Sequence, residues 1–380
     1  MPNIKRGMMA AAGGVAEPCE DCGLFAIGTN ASGQLGLGDT TSRSSPVQTY
    51  AAVPTDFSAG QHFSGLVKTD GTLWMTGKNN YGQLGLGNTT DVSSWTQVGT
   101  GTTWDQVSCG QGFTIARKTD GTIWTWGEND LGQLGDGTAV TKSSPVQVGS
   151  LTDWTTVISW GEGAVAYKSD ALWAWGLGTS GQHGNGASTT YSSPVQVGAS
   201  GFANGIRSSA GSGQYATWHP KTDNSIVTAG YGYQKSLGLG NVTSTNTFTQ
   251  IGSTDWTWVT LNQYNGLARR TNGDLYSWGF SPGSYYANGD GTTNNNTSSP
   301  VQIGSGETWG AGFRHGATTT YGGMAINTSG ELFGWGYNGS GQKGTSTTTS
   351  YSVPTQVGSE TDWTAIDLGT THTLGVRDDS

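Results

Sequence analysis

The chain carries little charge and has no long apolar run. Of its 380 residues only 11% are charged, and 26 acidic against 17 basic side chains give a formal net charge of −9. A surface of that sign repels phosphate, so we expect neither nucleic acid nor an anionic membrane surface as a partner. No apolar stretch reaches the ~18 residues of a membrane span, so we expect no membrane insertion.

Cysteine is also scarce. Cys19 and Cys22 form a C-x-x-C pair, and Cys109 stands alone within a repeat. A structural zinc ion usually takes four ligands, and the chain offers no second pair of cysteines. We therefore predict no metal site, and we interpret Cys19 and Cys22 as incidental residues near a flexible terminus.

Sequence signals for catalysis are missing. No Ser/His/Asp constellation, paired-carboxylate motif, phosphate-binding loop or run of metal ligands appears. Two of the five histidines, His315 and His372, occupy the repeat position that Phe63 and Phe113 fill elsewhere, which indicates packing. The sequence thus predicts a protein that is not an enzyme and binds no cofactor.

Glycine and tryptophan are abundant instead, with 64 and 16 residues. Gly, Ser, Thr and Asn turns separate short runs rich in Val, Ile, Trp and Thr, which is typical of an all-β protein. Disordered chains can be rich in glycine but are poor in aromatic residues, and this chain is 10% aromatic. The composition therefore predicts a folded protein with many tight turns.

Two independent sequence motifs recur seven times. The first motif is a hydrophobic strand that ends in glycine and precedes a Gly-Gln-x-Gly turn. Its fifth and sixth copies match the motif poorly. Its strand-ending residues are Gly28, Gly77, Gly127, Gly176, Gly230, Gly279 and Gly336. The second motif resembles Ser-Pro-Val-Gln, and its glutamines are Gln48, Gln97, Gln147, Gln196, Gln250, Gln302 and Gln356. Both markers predict seven repeat units of about 50 residues.

Each unit reads as about four short antiparallel strands. Asp70-Gly71, Asp120-Gly121 and Asn272-Gly273 lie between alternating strands. This dipeptide predicts a hairpin with a type I′ turn, because glycine accepts a positive φ without steric cost. Such a unit cannot bury both faces alone, so it must stack on its neighbours.

The two ends of the chain carry complementary half-units. Residues Trp363 to Arg377 read as the first half of a unit, and Leu24 to Gly28 read as the second half. A blade shared between the termini closes a ring and leaves no open sheet edge. We predict an all-β, seven-bladed β-propeller over residues 22–380, preceded by a flexible anchoring arm over residues 1–21.

The first motif, the strand followed by the Gly-Gln-x-Gly turn, resembles the RCC1 repeat. Its best copies are Leu73 to Gly87 and Ile123 to Gly137, and the resemblance covers about residues 22–380. The resemblance implies a seven-bladed propeller. The founding member of that family exchanges guanine nucleotide by means of a projecting wedge and a basic tail. The resemblance does not imply this activity for the present chain. Here the insertions between repeats are short and the arm has two basic residues. Many RCC1-like proteins are binding scaffolds.

The aromatic residues that break the repeat are candidates for a contact surface on face loops. They lie in the fifth and sixth units, which match the repeat motif poorly and whose repeat geometry does not require aromatic residues at these positions. The alternative is that these residues arose by sequence drift and only pack locally. The candidates are Trp218, His219, Tyr231, Tyr233, Tyr285 and Tyr286. The regularly placed tryptophans are predicted to be core between blades: Trp74, Trp124, Trp126, Trp173, Trp175, Trp278 and Trp335.

The favoured function is a structural or binding component of a bacteriophage virion: tail, fibre, or head decoration or adhesin. A polar surface supports it, and the N-terminus resembles those of marine phage particle proteins. Residues 1–20 would anchor the chain to other virion proteins through Lys5, Arg6, Met8 and Met9, with a host surface glycan or protein as a further partner.

The alternative is a cellular, cytoplasmic RCC1-type protein-binding propeller, similar to a guanine nucleotide exchange factor, or a secreted lectin-like propeller. An exchange factor should show an inserted wedge, and a secreted lectin should show a signal sequence.

Overall fold

The computed structural model describes residues 22–203, 216–261, 264–293, 296–312, 314–319 and 321–378. The predicted arm over residues 1–21, with Lys5, Arg6, Met8 and Met9, lies outside the described residues. Its anchoring role therefore stays a prediction.

The described strands form seven antiparallel sheets, which are the seven predicted blades. Blade 1 contains β1 (Gly23–Gly28), β2 (Arg43–Tyr50), β26 (Trp363–Leu368) and β27 (His372–Arg377). Blade 2 contains β3 (Asp56–Ala59), β4 (Phe63–Val67), β5 (Leu73–Gly77) and β6 (Val92–Gln97). Blade 3 contains β7 (Trp104–Cys109), β8 (Phe113–Lys118), β9 (Ile123–Gly127) and β10 (Lys142–Gln147). Blade 4 contains β11 (Thr156–Trp160), β12 (Gly163–Lys168), β13 (Ala171–Gly176) and β14 (Tyr191–Gly198).

The remaining blades follow in chain order. Blade 5 contains β15 (Ala216–Pro220), β16 (Ile226–Gly230) and β17 (Thr245–Gln250). Blade 6 contains β18 (Trp256–Leu261), β19 (Asn265–Arg270), β20 (Leu275–Gly279) and β21 (Thr297–Ile303). Blade 7 contains β22 (Gly316–Thr319), β23 (Gly322–Ile326), β24 (Leu332–Gly336) and β25 (Tyr351–Gln356). The helical element of the described residues is a 3-10 turn, Gly283–Tyr285, and none of the described chain forms a helix that could cross a membrane.

Blade 1 joins the two ends of the chain, as predicted. Its strand order is β2-β1-β27-β26, and β1 pairs with β27 from Gly23 opposite Arg377 to Gly28 opposite His372. The first strand of blade 1, β26, also packs against β3 of blade 2 and β22 of blade 7. The ring is therefore closed by strands from both termini.

Side chains of the first strands bind the neighbouring blade. The Asp367 carboxylate accepts a hydrogen bond of 3.0 Å from the Ala59 backbone N–H. The Ser108 hydroxyl accepts one of 2.9 Å from the Ser159 N–H. Because a buried backbone N–H needs a partner, these bonds satisfy donors that no strand of the same blade reaches.

The Asp-Gly hairpins differ from the predicted turn type. Gly121 has a φ of 77° and donates to the Lys118 carbonyl over 2.9 Å, whereas Asp120 has no positive φ. A type I′ turn needs a positive φ at both central residues, so this is a type I turn followed by a bulge at glycine. Asp120 contributes through its side chain, which accepts hydrogen bonds from the Thr122 N–H and hydroxyl.

The predicted tryptophan core is confirmed in part. Trp126 and Trp175 have no exposed surface and fill the space between blades. Trp74 and Trp124 are only half-buried. Their rings lie under a cation, since the Lys68 Nζ is 3.6 Å from the centroid of the Trp74 ring. In blades 2 and 3 the first tryptophan of the repeat is thus an aromatic support for a lysine, not full core.

Cys22 belongs to blade 1 and is not an incidental residue. It is buried, and its carbonyl accepts a 2.8 Å hydrogen bond from the Gln48 side chain. Cys22 is disulfide-bonded, whereas Cys109 is a free and buried thiol. The interpretation of Cys22 as incidental is therefore wrong.

Candidate functional site

Antiparallel pairing sorts the loops onto two faces of the ring. The turns between the first and second strands of each blade, which we call inner turns, lie on one face. The long loops between the third and fourth strands, which carry the Gly-Gln-x-Gly motif, lie on the same face. We call this the glutamine-loop face. The hairpins such as Asp120-Gly121 lie on the opposite, hairpin face. On the glutamine-loop face, adjacent inner turns bond to one another: the Gln61 N–H donates to the Gly110 carbonyl over 3.2 Å.

A buried asparagine holds most glutamine loops in shape. The Asn79 side chain is fully buried, and its Oδ1 accepts a 2.9 Å hydrogen bond from the Leu84 N–H. Its Nδ2 donates to the carbonyls of Asn88 and Thr90, at 3.1 Å and 3.0 Å. One side chain thus fixes both ends of the loop. Asn30, Asn129 and Asn338 accept the equivalent hydrogen bond in their own loops.

Three loops lack this asparagine. Gly178, Gly232 and Ser281 stand in its place in blades 4, 5 and 6. In blade 4, a Cβ atom on Gly178 would lie 2.6 Å from His183 Nδ1, so the histidine ring occupies the space that asparagine fills elsewhere. The loops of blades 5 and 6, which lack the asparagine, carry Tyr231, Tyr233, Tyr285 and Tyr286.

Exposed tyrosines gather on the glutamine-loop face of blades 5 to 7. Tyr231 and Tyr233 are 41% and 70% exposed, with ring centroids 6.0 Å apart. Tyr285, 38% exposed, stacks on Tyr321 at a centroid distance of 4.4 Å. It also meets the Tyr337 ring edge-on at 5.2 Å. We call these five residues the tyrosine patch.

Sequence reasoning found three members of the patch and missed Tyr321 and Tyr337. Tyr337 directly follows the strand-ending Gly336, where Lys78 and Glu128 stand in other units, and this departure was an available signal. Tyr321 lies in an inner turn with no repeat marker. Tyr286 is half-buried and has a φ of 50°, so it ends the 3-10 turn in a left-handed conformation. Its part in binding stays a prediction.

Trp218 and His219 do not lie on a face loop. Both belong to strand β15 and are 4% exposed. Successive strand residues point to opposite sides of the sheet, and both sides of a blade are covered by neighbours. Trp218 packs in the cluster with Trp256 of blade 6. His219 Nδ1 lies 3.1 Å from the Tyr167 hydroxyl of blade 4. Their placement on a contact surface was wrong.

The histidines of the repeat serve packing. Burial lowers the pKa of His219 and of His372 to about 3, so both rings are neutral. His372 is fully buried with Nε2 2.9 Å from the Ser64 hydroxyl, as its equivalence to Phe63 and Phe113 predicts. His315 is half-buried, and burial also lowers its pKa.

A group of carboxylates lies on the glutamine-loop face of blades 3 and 4. Glu128 and Asp130 belong to the glutamine loop of blade 3, and Glu162 to the inner turn of blade 4. We call these three residues the acidic patch. Burial raises the pKa of Glu128, and the charges of Asp130 and Glu162 raise it further. A hydrogen bond from Tyr81 lowers this pKa and partly opposes these effects. Burial and the charge of Asp130 raise the pKa of Glu162.

The described parts of the chain bring no three His, Cys, Asp or Glu side chains together as metal ligands. The arrangement on this face offers aromatic contact area and negative charge. It is suited to recognition of another molecule.

Comparison with protein families finds the Regulator of chromosome condensation (RCC1) repeat at residues 70–117, 120–165 and 329–376. A second model of the same description matches residues 104–133.

Similar solved structures include Prp20p from Saccharomyces cerevisiae, described by its binding to Gsp1p and histones. It is 16% identical with a TM-score of 0.79, covering 96% of this chain and 92% of that one. Human WBSCR16 is 17% identical with a TM-score of 0.78, covering 93% and 98%. Yeast RCC1 (Prp20) bound to Kap60 is 15% identical with a TM-score of 0.78, covering 99% and 97%.

At these identities the structural likeness shows the fold, and the matched repeats show the kind of unit from which it is built. The seven blades, the blade shared between the termini and the matched repeats together show that this chain is a seven-bladed β-propeller that contains RCC1 repeats.

Proposed function

We propose that this chain is a non-enzymatic, protein-binding propeller that contacts its partner through the tyrosine patch of the glutamine-loop face. The observation that carries the proposal is Tyr285, which stacks on Tyr321 and meets Tyr337 edge-on while more than a third of its own surface stays exposed. Three loops from two blades converge on this one ring.

Such a cluster has the properties of an interface anchor. Tyrosine offers a large contact area at a small cost in side-chain entropy, and it is enriched among residues that dominate binding energy. Mutual ring contacts hold Tyr285, Tyr321 and Tyr337 before any partner arrives, which reduces the ordering cost of binding further. Supported exposed rings of this kind favour a protein partner.

The relatives support the same class of function. Prp20p is described by its binding to Gsp1p and histones, and yeast RCC1 by its complex with Kap60. These partners belong to those proteins. What they support for this chain is the general role of a propeller that binds other proteins, and they fit the cellular alternative better than the particle component.

The bacteriophage virion component is the second candidate. It is favoured by the polar, exposed outer strands, of which Thr245–Gln250 is an example, and by the composition of residues 1–20. In this version the partners would be other virion proteins, with a host surface glycan or protein as receptor. Deleting residues 2–18 should then abolish incorporation into particles. Normal incorporation of the deleted chain would contradict this candidate.

Site-specific photocrosslinking tests the main proposal. The photoreactive residue p-benzoylphenylalanine replaces Tyr285 or Tyr233, and in a control it replaces Leu151, which is 40% exposed on the hairpin face. We expect a discrete crosslinked protein from both tyrosine positions in the producing cell, lost when Tyr337→Ala is added. Crosslinks from Leu151 with none from the tyrosines would place the partner on the other face and contradict the proposal.

A further inference from the structure

We propose that the boundary between blades 1 and 2 holds a binding site for a small, neutral molecule that carries a primary carboxamide. The site is a cavity of about 220 Å³ lined by residues of blades 1, 2 and 7, at the end of the first strands that lies on the hairpin face. The tyrosine patch lies on the opposite face. The inference therefore goes beyond the proposed function and does not depend on it.

The boundary between blades 3 and 4 shows which side chains fill this place elsewhere. Gln106 of blade 3 accepts a 3.1 Å hydrogen bond at Oε1 from the Val157 N–H, and its Nε2 donates to the Thr155 carbonyl over 3.3 Å. Arg117, which lies opposite Gln106 in the sheet, donates from Nη1 to the carbonyls of Trp154 and Thr155, at 3.1 Å and 2.5 Å. Two polar side chains of one blade thus satisfy the backbone at the start of the next.

Polar side chains at the same two positions also join blades 6 and 7. Trp258 and Arg269 lie opposite one another in blade 6. The Trp258 Nε1 donates to the Gly310 carbonyl over 3.2 Å, and the Arg269 Nε donates to the Trp309 carbonyl over 2.8 Å. Bonding of the next blade's backbone is therefore the function of these positions in more than one boundary.

Blade 1 has short apolar residues at both positions. Ala365 and Val376 lie opposite one another just as Gln106 and Arg117 do in blade 3. Both line the cavity, and neither side chain can donate or accept a hydrogen bond. The cavity therefore opens where a glutamine and an arginine lie in the boundary between blades 3 and 4.

The backbone of blade 2 that faces the cavity keeps its polar groups. Residues 54–57 hold the places of residues 154–157, since the N–H groups of Thr55 and Thr155 make equivalent 2.9 Å hydrogen bonds to the second strand of their blade. Among the described residues of blade 1, no side chain bonds to the Phe57 N–H or to the Thr55 carbonyl. Because Phe57 is buried, its N–H needs an acceptor that blade 1 does not supply.

Arg314 of blade 7 forms one wall of the cavity. Its Nη1 donates to the Phe57 carbonyl over 2.9 Å, and its guanidinium carbon lies 4.3 Å from the centroid of the Phe57 ring. Its Nη2 pairs with the Asp56 carboxylate. Because Asp56 compensates the guanidinium charge, this wall gives an anionic ligand little net attraction.

A primary carboxamide matches the hydrogen-bonding groups of the cavity. It has one oxygen that accepts and an NH₂ group that donates twice. The cavity offers one donor, the Phe57 N–H, and two acceptors, the carbonyls of Pro54 and Thr55. Gln106 satisfies the equivalent N–H and carbonyl of blade 4 with its own carboxamide. A carboxylate could accept from Phe57 but would repel the two carbonyls.

The size and the other walls of the cavity limit the rest of the ligand. Val53, Pro54 and Val376 give hydrocarbon surfaces, which suit an apolar body attached to the carboxamide. Sites for drug-sized ligands begin at about 300 Å³. A cavity of about 220 Å³ therefore takes a smaller molecule, such as one aromatic ring with its carboxamide.

NMR titration with benzamide tests this inference, with benzoate as the control of the same shape that lacks N–H donors. The chain has nine phenylalanines, so labelling them with nitrogen-15 gives a simple spectrum in which Phe57→Leu identifies the Phe57 resonance. Ala365→Gln supplies the missing carboxamide from within the chain. The matched control is Ala139→Gln, at an exposed position of a glutamine loop. Melting curves check folding, and Val376→Leu, which also narrows the cavity, serves if Ala365→Gln does not fold.

We expect benzamide to shift the Phe57 resonance with a Kd on the order of 1 mM, because a molecule of about nine heavy atoms gains limited binding energy. Benzoate should bind at least 10-fold more weakly. Ala365→Gln should weaken benzamide binding at least 10-fold, and Ala139→Gln less than 2-fold. Equal binding of benzamide and benzoate would overturn the inference. So would the absence of saturable benzamide binding, shifts that leave Phe57 unaffected, or binding that Ala365→Gln leaves unchanged.

Discussion

Trp126 donates a hydrogen bond from its indole Nε1 to the backbone carbonyl of Gln83, 2.9 Å away across the boundary between blades 3 and 2. The same contact links Trp175 to Gln133 over 3.0 Å. The second tryptophan of the repeat therefore docks into the glutamine loop of the preceding blade. This explains why the tryptophan-bearing strand and the Gly-Gln-x-Gly turn recur together in the first motif, since one blade supplies the indole and its neighbour supplies the loop.

The glycine that receives the indole should be intolerant of substitution. Gly85 has a φ of 71°, and a Cβ atom there would lie 2.8 Å from Trp126 Nε1. Gly99 has a similar φ of 59°, but a Cβ atom there would meet nothing within 4 Å. Gly85→Ala should therefore lower the free energy of unfolding by about 1–3 kcal/mol more than Gly99→Ala, through overpacking at the blade boundary. Urea denaturation of both variants measures this, and equal losses would refute the packing argument.

The shared blade should be essential to the ring. Deleting residues 362–380 removes β26 and β27, which leaves β1 paired on one side only, with β2, and uncovers the side of β3 that packs against blade 1. Exposed edges favour aggregation. We expect the shortened chain to aggregate or to be degraded by trypsin within minutes, as followed by size-exclusion chromatography and gel electrophoresis. A shortened chain that stays monomeric and melts at the original temperature would contradict closure by this blade.

Acid should destabilise the fold through its buried histidines. The pKa of His219 and of His372 is about 3 in the folded chain, below the ordinary value of 6.5 expected once unfolded. Between these values the unfolded chain binds protons that the folded chain does not, so the contribution of these two histidines to stability is complete above pH 6.5 and falls as the pH drops through this window. His372→Phe, which introduces the residue found at Phe63 and Phe113, should reduce the slope by up to about 1.4 kcal/mol per pH unit. Urea midpoints at pH 7, 6 and 5 measure the slope; an unchanged slope would contradict this assignment.

Lys343 should give a pH dependence on the alkaline side. It is fully buried where other loops place Leu84 and Leu134, and burial lowers its pKa from 10.5 to about 7. Between pH 7 and 10.5 the unfolded chain retains the proton that the folded chain has lost, so the contribution of this residue to stability rises with pH across that range.

Replacing this lysine by Leu should remove that rise and stabilise the protein at pH 7 by on the order of a few kcal/mol, because burial of a charge is costly. The comparison is the difference in melting temperature between wild type and variant at pH 7 and pH 9, in which titrations of other groups cancel. A difference that does not shrink at pH 9 would show that Lys343 does not titrate in this range.

Repetition is the reason the fold could be predicted and part of the site could not. Each marker glycine and glutamine has six counterparts, so the blade count and the shared blade follow from spacing. A residue that departs from the repeat has no counterpart, and its surroundings depend on which blades become neighbours. Tyr231 and Tyr285 were found because their loops depart from the repeat. Trp218 and His219 depart from it equally, but they lie in a strand that is buried on both sides.

The same limit applies to contacts between loops. Tyr321 stacks on Tyr285 across a blade boundary, 36 positions away in sequence. No local pattern around Tyr321 indicates this contact. It becomes visible only when the ring places an inner turn of blade 7 beside the loop of blade 6.

The indole contacts between blades and the shared blade bear on how the protein comes apart. In a linear array of repeats the terminal units lose contacts first and unfold separately. Here each blade lies between two neighbours, and the blade built from both termini is no exception. Loss of one blade would expose two others at once and release the indole that docks into the adjoining loop. The ring should therefore unfold in one cooperative transition, with hydrogen exchange in the first strands of all blades occurring only through global opening.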